Sequence, residues 1–176
     1  KYESLLINDF LFKSNDYINK NGLKVNYDFL IKNFNSYTEN STSYKSKEDY
    51  EIFGTFLIKT SLPLKKIDDD GNDYLKPIAS FRYSPNNTKN ISDKDLRLSY
   101  DNIFALNRIG TNEIVEGGKS LSLGVEYENR NRNNEKLFSL SLANSISDRA
   151  NGNLPSKTKL NEKRTDLVGK LSFSPN

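Results

Sequence analysis

The sequence predicts an all-β fold: an antiparallel up-and-down meander of about seven strands, forming an open, curved part of a large transmembrane β-barrel. Three observations predict it. Apolar residues recur with period 2 in nearly every apolar cluster, as strands require and helices do not. The connections between clusters alternate in length. Finally, only 35% of the 176 residues are hydrophobic and 28% are charged, with a mean hydropathy of −0.74, low for a water-soluble domain of this size. Ten Tyr and ten Phe argue against disorder. Strands that are apolar only at alternate positions, diluted by polar loops, account for both facts.

The elements follow in order. Residues 4–14 and 50–62 read as strands with apolar groups on both faces. Residues 23–35 place Leu23, Val25, Tyr27, Phe29 and Ile31 opposite Lys24, Asn26, Asp28 and Lys32. Residues 74–85 alternate Leu75, Ala79, Phe81 and Tyr83 with Lys76, Ser80, Arg82 and Ser84. The cleanest pattern lies in 119–129, where Leu121, Leu123, Val125 and Tyr127 face away from Ser120, Ser122, Gly124, Glu126 and Glu128. In 137–147, Phe138, Leu140, Leu142 and Ile146 share a face on which Asn144 is the exception, and 166–174 aligns Leu167, Gly169, Leu171 and Phe173.

Connections 15–22, 63–73 and 130–136 are shorter, and 36–49, 86–118 and 148–165 longer. That rhythm is expected of a membrane barrel with periplasmic turns and outer loops, and a soluble sandwich has no reason to keep it. Most strands approach the 9 to 11 residues needed to cross the hydrocarbon, and Tyr74, Tyr83, Tyr127, Phe138 and Phe173 fall near strand ends, where an aromatic girdle lies. The lipid-facing set is Leu121, Leu123, Val125, Tyr127, Phe138, Leu140 and Leu142. Leu123→Arg is expected to block assembly, and Ser122→Arg, on the other face, to be milder. The whole of 1–176 is read as a fragment of one barrel domain. The absence of Met, even at residue 1, points to an internal piece of a longer protein.

Several chemistries are excluded. The sequence has no His and no Cys, so it carries no Ser-His-Asp or Cys-His centre and no thiolate site. No cofactor and no metal are expected, and the chain is not read as an enzyme. "KKIDDDGNDYLK", residues 65–76, misses the calcium-loop spacing: Gly71 puts Lys66 at position 1 and Pro77 at position 12, where carboxylates are required. It reads as a polar turn. The basic and acidic residues are interspersed, so nucleic acid is not an expected partner. The Asn40, Asn86 and Asn90 triplets match a glycosylation pattern that an Asn- and Ser-rich chain produces by chance.

The connection 86–118 differs from the others. Leu96, Leu98, Ile103, Phe104, Leu106 and Ile109 give it the apolar content of a folded loop tucked toward a lumen, and loops of this length are usually functional or disordered. Arg97, Asp101 and Arg108 are expected to pair with one another or with lumenal charges. Gly117-Gly118 reads as a hinge or bulge before the next strand.

Here "YDNIFALNRIG", followed by "VEGGKSLSLGVEYENR", resembles the barrel domain of the outer-membrane lipopolysaccharide-assembly family, LptD. The matching pattern is a D-x-(I/L)-F-x-x-N-R-(I/F)-x-G loop and a following (S/Q)-L-(S/T)-L-G strand. "FRYSPNN" and the stretch from 141 to 169 are also similar, so the resemblance covers about 74–170. Carried over by position, the motif residues are Asp101, Asn102, Phe104, Asn107, Arg108, Gly110, Gly118, Leu121, Leu123 and Gly124. The resemblance implies a cell outer membrane location and insertion of lipopolysaccharide into the outer leaflet. It implies as partners lipopolysaccharide, outer-membrane lipid, an LptE-type lipoprotein plug and a periplasmic Lpt bridge, the last two through the full-length protein. It also implies a periplasmic jelly roll outside this stretch and a gate between the barrel's first and last strands. The alternative is a soluble or cell-surface β-domain that binds a ligand through its long loops.

Overall fold

A computed structural model describes residues 2–41, 47–68, 71–110 and 113–174. The strands are β1 (Tyr2–Lys13), β2 (Tyr17–Ile18), β3 (Lys24–Glu39), β4 (Lys47–Ser61), β5 (Leu64–Asp68), β6 (Gly71–Ser84), β7 (Gly118–Asn131), β8 (Lys136–Ser147) and β9 (Val168–Phe173), with one 3-10 turn at Lys157–Lys159. They form a single open antiparallel sheet in the order β1-β3-β4-β6-β7-β8-β9. The two short strands continue their predecessors: β2 pairs with β3 after β1 ends, and β5 pairs with β6 after β4 ends.

The expected connections need three corrections. Residues 36–49 are not a long loop, because β3 runs to Glu39 and β4 starts at Lys47. The register Ser36↔Asp49, Tyr37↔Glu48 continues the hairpin with polar side chains, so the hydropathy alternation fades while the backbone ladder persists. The connection is thus 40–46, of which 42–46 lie outside the described residues. Residues 63–73 and 15–22 are likewise not plain turns, since they hold β5 and β2. Residues 69 and 70 of the acidic run lie outside the described residues. Long connections remain at 85–117 and 148–167, both at the same end of the sheet.

The two faces are inverted relative to a water-soluble sheet. On β7, Leu121 and Leu123 are 41% and 47% exposed, while Ser120 and Ser122 are 4% and 2% exposed. On β6, Phe81 is exposed and Ser80, Arg82 and Ser84 are buried. Lys32, Ser36 and Thr38 of β3 and Ser145 of β8 are buried on the same inner side. Water would reverse this distribution, because exposed apolar area costs about 25 cal/mol per Å². Hydrocarbon outside and a polar lumen inside favour it.

The apolar band has the height and slant of a tilted barrel wall. On β6 it lies between Asp73 and Tyr83. These ten residue steps run roughly 33 Å along the strand, which a tilt of about 40° projects to about 25 Å, the height of a barrel's apolar band. Its upper boundary on β3 is Ile31, followed on that face by Asn33; on β7 and β8 it is Leu121 and Ile146. The register row Ile146–Leu121–Phe81–Ile58 continues to Tyr27, four residues short of Ile31. A four-residue drift over three to four strand spacings of about 4.8 Å is a slope of roughly 35 to 45°, the tilt that barrels require.

Candidate functional site

Loop 85–117 leaves the wall and packs on the inner face of the sheet. Ile91, Leu98, Ile103 and Ile109 form a core with Leu154 and Leu160 of the 148–167 loop and with Ala143 and Val168 of the wall. Leu106 meets Leu30 and Leu57, and Val115 meets Phe34 and Phe53. These contacts explain why 50–62 carries apolar residues on both faces: Phe53 and Leu57 face the loop, and Phe56 and Ile58 face outward. The loops are also tied to each other. Ile91 N donates to Asn153 O at 2.8 Å, Leu98 N donates to Thr158 Oγ1 at 3.0 Å, and Lys157 reaches Asp95 at 2.6 Å. The ammonium of Lys157 holds the exposed Asp95 carboxyl below its ordinary range.

A buried ionic latch fastens the loop. Arg82, on the inner face of β6, donates from Nε to Leu106 O at 2.9 Å and from Nη2 to Glu116 O. Arg108 grips the Glu116 carboxylate with Nε at 2.9 Å and with Nη2, while its Nη1 donates to Ser145 Oγ at 2.6 Å. Ser122 Oγ lies 3.0 Å from Ser145 Oγ and 3.3 Å from Ile103 O. Arg82, Arg108 and Glu116 are 2%, 2% and 3% exposed. Burial alone would raise the Glu116 carboxyl, but Arg108 and then Arg82 outweigh it and hold the group below its ordinary value. Removing one partner of such a cluster strands an uncompensated buried charge, at a cost of about 3 to 5 kcal/mol.

Two glycines permit the close approach. A Cβ on Gly124 would stand 2.7 Å from Phe104 Cζ and 2.8 Å from Leu142 O, and one on Gly117 would stand 1.8 Å from Asn86 O. The first lets Phe104 sit against the wall, and the second lets the two ends of the loop cross. Asn86 also continues the β4 ladder where β6 has ended: its Oδ1 accepts from Gly54 N at 2.8 Å and its Nδ2 donates to Ile52 O at 3.1 Å.

The sequence-selected residues divide by position. Asn102 shapes the loop, accepting from Ser99 N at 2.8 Å and donating to Arg97 O at 3.0 Å, and Asn107 accepts from Gly110 N at 3.2 Å. Gly110 has φ +66° and Gly118, which opens β7, has φ +95°. Arg97, Asp101 and Arg108 do not pair with one another. Arg97 faces Asp95, Asp101 reaches Lys170 of β9 at 3.0 Å, and Arg108 takes Glu116. Leu121, Leu123, Val125 and Tyr127 lie on the bare face in register with Ile146, Asn144, Leu142 and Leu140, and Phe138 is level with Asn129. Arg82 and Glu116 escape sequence reasoning. Their only signal is an Arg among inward serines and an acid eight residues after Arg108.

Below the loop a cleft of about 1000 Å³ opens against the inner face, lined among others by Lys24, Asp28, Lys59, Lys76, Tyr100 and Glu126. Tyr100 donates to Glu126 at 2.9 Å, and Lys76 pairs with the same carboxylate at 2.8 Å. Burial, and then the Glu126 bond, raise the Tyr100 hydroxyl far above its usual range, so it stays a neutral donor. Among the described residues no group of His, Cys, Asp or Glu is arranged to hold a metal ion.

The profile of one protein family, LptD (LPS transport system D), matches residues 12–176. The chain belongs to the LptD family. LptD-family proteins transport lipopolysaccharide and reside in the outer membrane, so an all-β sheet with an apolar outer face and a polar inner one is the architecture they need. The family match reaches upstream of the motif-bearing stretch to residue 12 and so includes β3 and β4, which carry no distinctive motif. A search of curated proteins returned no match.

Proposed function

We propose that this chain is a stretch of wall, with its lumenal loop, of the translocon that inserts lipopolysaccharide into the outer leaflet of the outer membrane. The observation that carries the reading is the inverted sheet: an outward band of Leu, Phe, Ile and Val at the height and slant of a membrane crossing, backed by an inner face of Ser, Thr, Lys and paired carboxylates. The motif leucines Leu121 and Leu123, with Val125, Tyr127, Phe138, Leu140 and Leu142, face lipid in this reading. Asp101, Asn102, Phe104, Asn107, Arg108 and Gly110 belong to the loop that narrows the lumen. The long connections 85–117 and 148–167 lie on the outer side.

The chain makes and breaks no bonds. Its wall keeps charge away from hydrocarbon, and its loop limits what the lumen passes. In the full-length protein, an LptE-type lipoprotein fills the rest of the lumen and a periplasmic Lpt bridge delivers the lipid. The test is depletion of the full-length protein from its host, followed by surface labelling of lipopolysaccharide in intact cells. Loss of new surface lipopolysaccharide, with accumulation at the inner membrane, is expected. Unchanged surface labelling after depletion overturns the proposal.

A further inference from the structure

Above the apolar band on β7 to β9 stand two cations that the wall does not neutralise. Lys119 is the outward residue next above Leu121, with its Nζ 5.7 Å over the Tyr83 ring. The nearby Asp148 carboxylate meets the backbone N of Lys119, at 3.4 Å. Arg164 forms an isolated bridge with the outward Ile146 and is exposed. Neither has a carboxylate partner among the described residues, whereas Lys76, Arg82, Arg108 and Lys170 are all paired with acids. Arg149 and Lys163 flank the pair, also exposed and also without an acid partner among the described residues.

Position gives these charges their meaning. Leu121 and Ile146 share a register row, so Arg164 lies one strand spacing beyond Ile146 and Lys119 two residues above Leu121. Two strand spacings sideways and two residues along the strand put their Cα atoms about 12 Å apart. Both sit where apolar wall gives way to water, and Lys119 stands beside an aromatic ring of the interfacial type. A cation at that level is drawn to anionic headgroups, and Arg presents a planar fork suited to phosphate.

We infer that Lys119 and Arg164 form a contact site on the barrel's outer wall for the phosphorylated head of a lipopolysaccharide molecule resident in the outer leaflet. The two charges straddle the sugar-phosphate head, Tyr83 packs beside it, and Leu121 and Ile146 receive the first methylenes of its acyl chains. This site is on the outside of the wall, separate from the lumen, and its assignment rests on the outer-side placement of the long loops in the reading above.

The experiment uses the full-length protein in nanodiscs of phosphatidylcholine doped with bisphosphorylated lipid A, dephosphorylated lipid A or phosphatidylglycerol, with retained lipid counted by native mass spectrometry. Wild type is expected to retain bisphosphorylated lipid A. Lys119→Ser with Arg164→Ser should lose about thirtyfold in retention, to the level of the dephosphorylated lipid. The charge-conserving Lys119→Arg with Arg164→Lys should retain it, which separates charge from misfolding. Equal retention by the Ser variant and wild type overturns the site, as does a preference for phosphatidylglycerol over lipid A. Failure of the transport reading shows separately, as unchanged surface lipopolysaccharide on depletion.

Discussion

Leu123→Arg puts a charge on the outward face of β7. Leu123 is 47% exposed and lies in register with Ala79 and Asn144. The apolar residues of that face on β7 run from Leu121 to Tyr127, so Leu123 is about one residue, roughly 3 Å along the strand, from the middle of the band. At that depth an Arg on the lipid face costs about 2 to 4 kcal/mol. The proper control is not Ser122, whose side chain is 2% exposed and bonded beneath the loop to Ser145 and Ile103; Ser122→Arg would evict the loop. Ser141 faces the inner side between Glu126 and Lys170, where it lines a cavity of about 510 Å³ beside Tyr100. Denaturant unfolding of the full-length protein from liposomes should show Leu123→Arg destabilised by about 2 to 4 kcal/mol and Ser141→Arg by less than about 1 kcal/mol. Equal losses, or a larger loss for Ser141→Arg, would refute the assignment of faces.

Other expectations follow from the latch and the wall. Glu116→Gln leaves two buried guanidiniums facing each other and should free loop 85–117 to protease, at a cost of about 3 to 5 kcal/mol. Because the Glu116 carboxyl is held below its reference value of 4.5, its contribution is complete above that pH and is lost as pH falls through the lower folded value. Protease resistance of the loop should therefore be flat from pH 7 to 5 and fail only in stronger acid; loss already at pH 6 would contradict the latch. Gly124→Ala should displace Phe104 and cost about 1 to 3 kcal/mol. Phe104→Leu should rescue it only in part, because Leu142 O is equally close. Asn144 donates to Thr165 O at 2.6 Å, so Asn144→Leu should destabilise by about 1 kcal/mol although it makes the band more apolar; a gain in the unfolding midpoint would show that the bond contributes nothing.

What could be read from the sequence follows from which face of the wall each residue takes. In 119–129 one face is a bare apolar band and the other carries buried serines, so period 2 is plain. In 36–49 the strands continue on polar side chains, the alternation fades, and a hairpin looks like a loop. In 50–62 the alternation is blurred by Phe53 and Leu57, which serve the loop core. Asn144, an anomaly on a greasy face, is explained by one backbone bond. The Arg82–Glu116–Arg108 latch was invisible because its members are joined only by the folding of a 33-residue connection, and no local period links them. The loop's apolar content was visible, but not its docking partners.

In the proposed function one face of this wall meets hydrocarbon and the other does not. The stretch contains no Cys, so nitroxides can be placed singly along β7 of the full-length protein in liposomes. Labels at 121, 123, 125 and 127 should be accessible to oxygen and shielded from a polar nickel complex, while those at 126 and 128, which line the open inner cavities and not the packed floor under the loop, should be shielded from oxygen. Oxygen access at the four odd-numbered positions and its loss at 126 and 128 is the predicted result, and uniform access to the nickel complex from 121 to 128 would contradict the account.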